Sequence, residues 1–328
     1  LKPLWIKTQQ EEIKCMIMQQ GKRGLHEDGE DSSLGKHGET CSSKKHRSSS
    51  DRMDNVAVLT MANNEAFFFP IWLRYYSRFV RPQCLFVLDH DTGDGSLDAG
   101  YQGTLPSSTA DRDALAVKVH ETSAPFVRCS VKHNFFCDEK WRLQAVEEAV
   151  AKLLACHKIV IFGDTDELVF PADALLGEFL CGLLPNPPRI MRCTGFELQQ
   201  SDTEPPFDEK RSVFEQRGFC YQNSMYSKPV VVSAPVRWNA GFHTLLEDGT
   251  PEPRPNLLLV HLHRIDRDRA LLRHQRYAAA CWNPDQSKRW GWQYRSTDEE
   301  SIESVFERFW NSRPTLEPIP ERWKETGI

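Results

Sequence analysis

No C-x-x-C pair occurs among the ten cysteines, which excludes zinc knuckles, thioredoxin-like chemistry and a compact disulfide framework. They read as buried thiols. No apolar run approaches the roughly 18 residues that a membrane-spanning helix needs. The longest, around Lys158–Phe162 and Leu257–Leu262, have strand length. Basic charge is not in excess either: 41 Lys and Arg stand against 46 Asp and Glu, a net charge of −5, so a nucleic-acid partner is not expected. The chain as given is expected to be soluble, with no membrane span, and both the Golgi lumen and the cytoplasm remain open to it. It begins with Leu1, as a fragment of a longer chain would. Apolar residues are scarce over 21–54, where only Leu25, Leu34, Cys41 and Met53 occur. So few cannot offset the entropy of ordering the backbone, and residues 1–54 are expected to be a disordered or low-complexity segment, with at most a short helix over Ile6–Gln20.

What is present beyond that tail is ordinary globular composition, 40% apolar, 27% charged and 10% aromatic, which rules out fibrous and wholly disordered classes. From Asn55, NVAVLT has the length and β-branched content of a strand. A helical stretch with Phe68, Trp72, Tyr75, Tyr76 and Phe79 follows it. CLFVLD from Cys84 predicts a second strand running into the turn-rich Asp89–Gly95, Leu115–Val119 a third, and KIVIFG over 158–163 a fourth. Asp138 is placed to cap a long helix with Trp141, Ala145, Ala149 and Leu153 on one face. Pro171 suits a helix first turn, Pro229–Ser233 and Leu257–Leu262 read as strands, and Ser301–Trp310 as an amphipathic helix. Strands alternating with helices predict an α/β fold whose central sheet is Rossmann-like, mostly parallel and flanked by helices. The boundaries expected are a domain over 55–295 and a helical C-terminal tail over 296–328.

Open parallel sheets bind ligands beyond the carboxyl ends of their strands, and here those ends carry acids: Glu65, Asp89 and Asp164-Thr165-Asp166-Glu167. Asp164 and Asp166 flank one residue after an apolar strand, so their carboxylates can converge on a hard divalent cation, Mg²⁺ or Mn²⁺, with open positions for phosphate oxygens. The plain alternative is that D-x-D caps the next helix. Asp166 is expected in an exposed loop, where its replacement by alanine would leave the fold intact.

Together these elements resemble the nucleotide-sugar glycosyltransferases of the GT-A fold, in the family 2-like group with a D-x-D-E motif. The likeness covers about residues 55–285. It rests on Asn63-Asn64-Glu65, on Asp89-x-x-Thr92-x-Asp94-Gly95 with Thr in place of Ser, and on Asp164-Thr165-Asp166-Glu167. Later elements are Ser227-Lys228-Pro229, Gly241-Phe242-His243 and His261-x-x-Arg264-x-Asp266. The resemblance implies a nucleotide-sugar donor, a glycan or other hydroxyl acceptor, and transfer with inversion. Glu65 and Asp89 would lie near base and ribose, Asp164 and Asp166 would hold the metal with His261 completing the set, and His243 would belong to a site loop. Lys140, Arg142, Arg217 and Lys228 are the basic candidates to stabilise a departing diphosphate. The catalytic base would be Asp248, on the Gly-Phe-His side, or Glu197, with Glu247 the neighbouring alternative. The Gln-x-x-Arg-Trp box of processive synthases is missing, since Gln275-Arg276-Tyr277 lacks its spacing; transfer is therefore expected to be non-processive.

Rival readings start from the same residues. Asp164-x-Asp166 after an apolar strand is similar to the haloacid-dehalogenase phosphatase pattern, though Leu168 stands where Thr or Val is usual. Asp89, Asp91 and Asp94 superficially match a calcium loop, but Gly93 and Gly100 occupy ligand positions. A carbohydrate-binding module without catalysis would keep the acids as caps. The aromatic residues Trp282, Trp290, Trp292 and Tyr294 suit a sugar-stacking lid or simple packing.

Overall fold

The structure, a computed structural model, describes residues 53–246, 252–284, 301–326 and 328. The tail expected over 1–54 lies outside the described residues except at Met53 and Asp54, as do the helix expected over Ile6–Gln20, the pair Glu247-Asp248, and Trp290, Trp292 and Tyr294 of the expected lid.

In chain order the elements are β1 (Val56–Ala62), α1 (Phe68–Tyr76), β2 (Leu85–Asp89), β3 (Tyr101–Gln102), α2 (Thr109–Thr122), β4 (Val127–Ser130), α3 (Glu139–Leu154), β5 (Ile159–Phe162) and β6 (Glu167–Pro171). They continue with α4 (Leu176–Leu183), β7 (Ile190–Gln199), α5 (Val213–Gln216), β8 (Phe219–Gln222), β9 (Val231–Val232), β10 (Glu252–Arg264), α6 (Arg267–Ala279), α7 (Ile302–Asn311), β11 (Glu317–Pro318) and α8 (Glu321–Lys324). Among the described residues the strands form one 11-stranded sheet in the order β11-β8-β7-β9-β5-β1-β2-β4-β3, with β10 pairing β6 and β7. The run β5-β1-β2-β4-β3 is parallel throughout. This is the α/β sheet with helices on its faces that the alternation of elements predicts. Beyond β5 the pairing turns mixed: β9, β8 and β6 join antiparallel, while β10 runs parallel to β7.

Strand β1 shows why the parallel part is stable. Val56 and Val58 enter the core beside the aromatic residues of α1, whereas Ala57 and Leu59 enter a second cluster with Val146, Ala149, Val150 and Leu153 of α3. A strand covered on both faces must be apolar on both, so the continuous run carries no alternation. Asp138 caps α3 as expected, its carboxylate accepting from the Trp141 amide at 3.0 Å.

Two expectations are corrected. Leu115–Val119 lies inside helix α2, because Ser108 caps its start by accepting from the Asp111 amide, and Leu115 and Val119 bury one face while Val117 is 58% exposed. The strand next to β2 is instead β4, too short for its pattern to stand out. Pro171 closes strand β6 rather than opening a helix, and α4 begins later, at Leu176. At the C-terminus, β11 pairs with β8, Trp323 is packed against Phe170 and Phe196, and Phe306 and Trp310 of α7 close over Ala270 of α6.

Candidate active site

The loops after β1 and β2 are stitched together by their own side chains. Asn64 takes the left-handed conformation (φ 54°), which asparagine tolerates, and its Oδ1 accepts from the amides of Gly93 and Asp94 at 2.8 and 3.1 Å. In return, Asp94 accepts from the Ala66 amide at 3.1 Å. Asp89 is buried, accepting from the Thr92 amide and from Arg128 Nε, each at 2.8 Å. Its carboxylate is committed within the fold, and among the described residues it joins no group of three candidate metal ligands. Glu65 is also buried, ion-paired with Arg276 at 2.5 Å and Arg273 at 3.4 Å, both reaching in from α6. Arg273 and Arg276 are three residues apart and so share a helix face.

Between β5 and β6 the chain makes a tight turn, closed by the Glu167 amide donating to the Asp164 carbonyl at 2.9 Å. That turn sends its two aspartates to different surroundings. Asp164 keeps 26% of its side chain exposed, pairs with Arg142 of α3, and lies 3.8 Å from Lys228 Nζ. Burial works against its charge, but Arg142 and Lys228 outweigh burial and hold its pKa below the ordinary value. Lys228 is buried and donates to Glu167 at 2.5 Å. Burial would lower the Lys228 pKa, yet Glu167 and Asp164 raise it, so the ammonium stays charged.

Asp166 is only 2% exposed, which corrects its expected place in an exposed loop: the antiparallel pairing of β6 with β10 draws it inward, and its carbonyl accepts from the Leu262 amide at 2.8 Å. Its Oδ2 meets His261 Nε2 at 3.1 Å, His263 Nδ1 at 3.7 Å and the Arg273 guanidinium. Burial opposes charge here too, but Arg273 and His261 hold this carboxyl well below the usual carboxylate range.

His261 owes its position to strand register, which sets it opposite Glu167 on β6 and opposite Glu197 on β7. Both Glu197 oxygens accept from His261 Nδ1, at 2.9 and 3.0 Å, turning Nε2 toward Asp166. Burial alone would depress its pKa; Glu197 and Asp166 lift it to about 10. Tyr226 stacks on the ring, with centroids 3.9 Å apart. This stacking needs Gly195, where a Cβ would meet the Tyr226 carbonyl carbon at 2.2 Å. His263, two residues along the same strand face, has its pKa pushed down to about 3 by burial, and its Nε2 is buried with no hydrogen-bond partner among the described residues. His243 sits on a turn in which Gly241 (φ 71°) and Phe242 (φ 60°) are both left-handed; its Nδ1 donates to the Met225 carbonyl at 2.5 Å. Phe242 pins that turn by burial against Phe162 and under Arg142.

The donor set suits a divalent cation. Asp166, His261 and His263 place one ligand atom each within 4.8 Å of one another, and the carboxylate–histidine contact from Glu197 is the usual means of aiming an imidazole at a metal. Two imidazoles with a carboxylate fit Mn²⁺ better than Mg²⁺, which prefers oxygen ligands.

The structure thus gathers the candidates into two adjoining groups of ion pairs, Asp164 with Arg142 and Lys228, and Asp166 with His261, Glu197 and, through Arg273, Glu65. Lys140 is exposed on the first turn of α3. Arg217 is fully buried, donating to the carbonyls of Ile265 and Gln216. Asp248 lies outside the described residues. Sequence reasoning missed His263 and Arg273. The signal for the first was His261-Leu262-His263 with strand period, and for the second the Arg273/Arg276 spacing on a helix.

No family model matches the chain, and no curated protein matches it. Among solved structures it is similar to the mannosyltransferase PcManGT from Pyrobaculum calidifontis in complex with GDP-Man and Mn²⁺, at 14% identity and TM-score 0.34. That likeness covers 67% of this chain and 61% of the other, so the chain spans less than two thirds of that structure. It is also similar to S. aureus TarS 1-349, at 12% identity and TM-score 0.34 over 79% of this chain and 73% of that one. TarS 1-349 in complex with UDP-GlcNAc matches at 9% identity and TM-score 0.30, over 73% of this chain and 70% of the other.

Proposed function

We propose that this chain is a metal-dependent glycosyltransferase that moves a sugar from a nucleoside-diphosphate sugar to a hydroxyl acceptor, with inversion and one transfer per encounter. The observation that carries this reading is the convergence of Asp166, His261 and His263 beside Asp164, ringed by Arg142, Lys228 and Arg273. Asp166, His261 and His263 would hold Mn²⁺, with Asp164 beside them. A bound divalent cation supplies charge stabilisation for a departing diphosphate.

The chain's own residues do the rest. Arg142 and Lys228 offer fixed positive charge beside Asp164, where a diphosphate's developing charge would be met without reorganisation. Glu197 is a positioning residue in this reading: with both oxygens on His261 Nδ1, it keeps Nε2 directed at the metal position. Base catalysis then falls to Asp248. The acceptor oxygen gives up its proton to that carboxylate as it bonds to the anomeric carbon, while the bond from that carbon to the diphosphate oxygen breaks and the nucleoside diphosphate leaves.

The phosphatase alternative asks Asp166 to act as an acid. Arg273 and His261 favour the charged form of that carboxyl, the opposite of what an acid needs.

Thermal-shift titration with UDP, GDP and CMP, each with and without Mn²⁺, tests the proposal, because a ligand selective for the native state raises its apparent stability. A shift that needs Mn²⁺, with one nucleotide preferred, and its loss in Asp164→Asn is the expected result. A cooperatively unfolding protein that responds to none of these would overturn the reading.

A further inference from the structure

Arg273 touches two of the three candidate metal ligands with a single nitrogen. Its Nη1 pairs with Asp166 Oδ2 and donates to His263 Nδ1 at 3.1 Å. The other nitrogen, Nη2, faces Glu65 at 3.4 Å and the Tyr277 hydroxyl at 3.5 Å. The guanidinium is banked on the ring of Phe68, 4.8 Å from its centroid. One half of the fork therefore lies on the metal ligands, and the other half lies on a second carboxylate.

A guanidinium and a divalent cation repel each other beside Asp166, and the single lone pair of His263 Nδ1 cannot serve both. Arginine cannot be neutralised by losing its proton, so movement is the only way to relieve the conflict. Resting on the proposed metal-dependent reading, we infer that Arg273 is an internal stand-in for the metal: it neutralises Asp166 before the cation arrives, moves onto Glu65 when the cation binds, and gains a phosphate partner only when the donor's diphosphate is present.

The arrangement has a thermodynamic consequence. Metal alone must displace an ion pair, whereas metal with a nucleoside diphosphate gives the displaced guanidinium a new anion, well matched to its planar fork. Each ligand then strengthens binding of the other by the same factor. Glu65 matters because it holds Arg273 during the exchange, with Arg276 at 2.5 Å keeping that carboxylate in place. Arg273 is thus a positioning residue for the metal.

The test is Mn²⁺ binding to the full chain, followed by the electron paramagnetic resonance signal of free Mn²⁺, with and without UDP or GDP. In the native protein the nucleotide should tighten Mn²⁺ binding by about 10-fold, the usual scale of coupling between sites. Arg273→Gln should bind Mn²⁺ alone about 10-fold more tightly and lose the enhancement by nucleotide. Glu65→Gln, which keeps the side-chain shape but removes the second berth, should weaken Mn²⁺ binding. A scaffolding role predicts the opposite sign for Arg273→Gln, because freeing Asp166 and His263 from their tether would loosen the ligand set. Mn²⁺ binding that is lost in Asp166→Asn, yet equal or weaker in Arg273→Gln, overturns this inference alone. No Mn²⁺ binding in the native protein, with or without nucleotide, overturns the metal-dependent reading itself. Should Arg273→Gln fail to fold, Glu65→Gln decides the question, and unchanged or tighter Mn²⁺ binding there overturns the exchange.

Discussion

The acids at the ends of β1 and β2 and those in the turn after β5 look alike in sequence but are held in different ways. Asp89 is satisfied by the neighbouring strand and its own loop, through Arg128 and the Thr92 amide. Asp166 draws its partners from β10 and α6, segments distant in sequence, and is shut away from water. A carboxylate's role follows from its counter-ions. Asp89 is tied to an arginine of the adjacent strand, whereas Asp166 gathers two imidazoles and a guanidinium from segments far along the chain.

The largest effect should come from breaking the second arrangement outright. Asp166→Ala leaves Arg273 and a charged, buried His261 without their shared anion, and should cost about 3–5 kcal/mol. Asp89→Asn leaves Arg128, 20% exposed, able to reach water, and should cost about 1 kcal/mol or less. Urea unfolding of both variants measures the contrast; equal midpoints would mean that the two acids are held alike. Gly195→Ala comes next, at about 1–3 kcal/mol. The added methyl must push the Tyr226 backbone aside, so the same unfolding series should also show weakened Mn²⁺ binding as the ring leaves His261. Retained stability and metal binding would show that Tyr226 does not support the imidazole.

The smallest effect is a pH dependence. His261 has its pKa raised from 6.5 to about 10, so its contribution to stability is complete below pH 6.5 and is lost as pH rises through about 10. In EDTA, the melting temperature should therefore fall by about 2–4 °C or more between pH 7 and pH 10, the size of about 1 kcal/mol in a domain of this class. His261→Gln should flatten that slope. An identical slope in the variant would assign the fall to other groups.

Much of the parallel half was legible because its signals are local. A strand buried on both faces must be apolar on both, as Val56–Leu59 and Ile159–Phe162 are, and a capping Asp138 marks a helix start whatever surrounds it. Leu115–Val119 misled because apolar residues at alternate positions also fit a helix when Leu115 and Val119 share a face and Val117 points outward. The candidate site was half legible. Asp164 and Asp166 announce themselves as a pair after a strand, and His261 followed from resemblance. His263, Arg273 and the task of Glu197 did not, because each acquires its meaning from register and helix placement.

The sequence by itself therefore determined which stretches could be strands covered on both faces, where α3 begins, and that acids stand at the ends of the parallel strands, since these depend on the hydropathy and hydrogen-bonding groups of neighbouring residues. Only the tertiary structure decided which acids remain partly open and which are buried against imidazole and guanidinium. That outcome depends on the antiparallel pairing of β6 with β10, the register of β10 with β7, and the placement of α6 that brings Arg273 and Arg276 onto Asp166 and Glu65. Charge and burial act through space, and sequence spacing does not measure distance between segments so far apart.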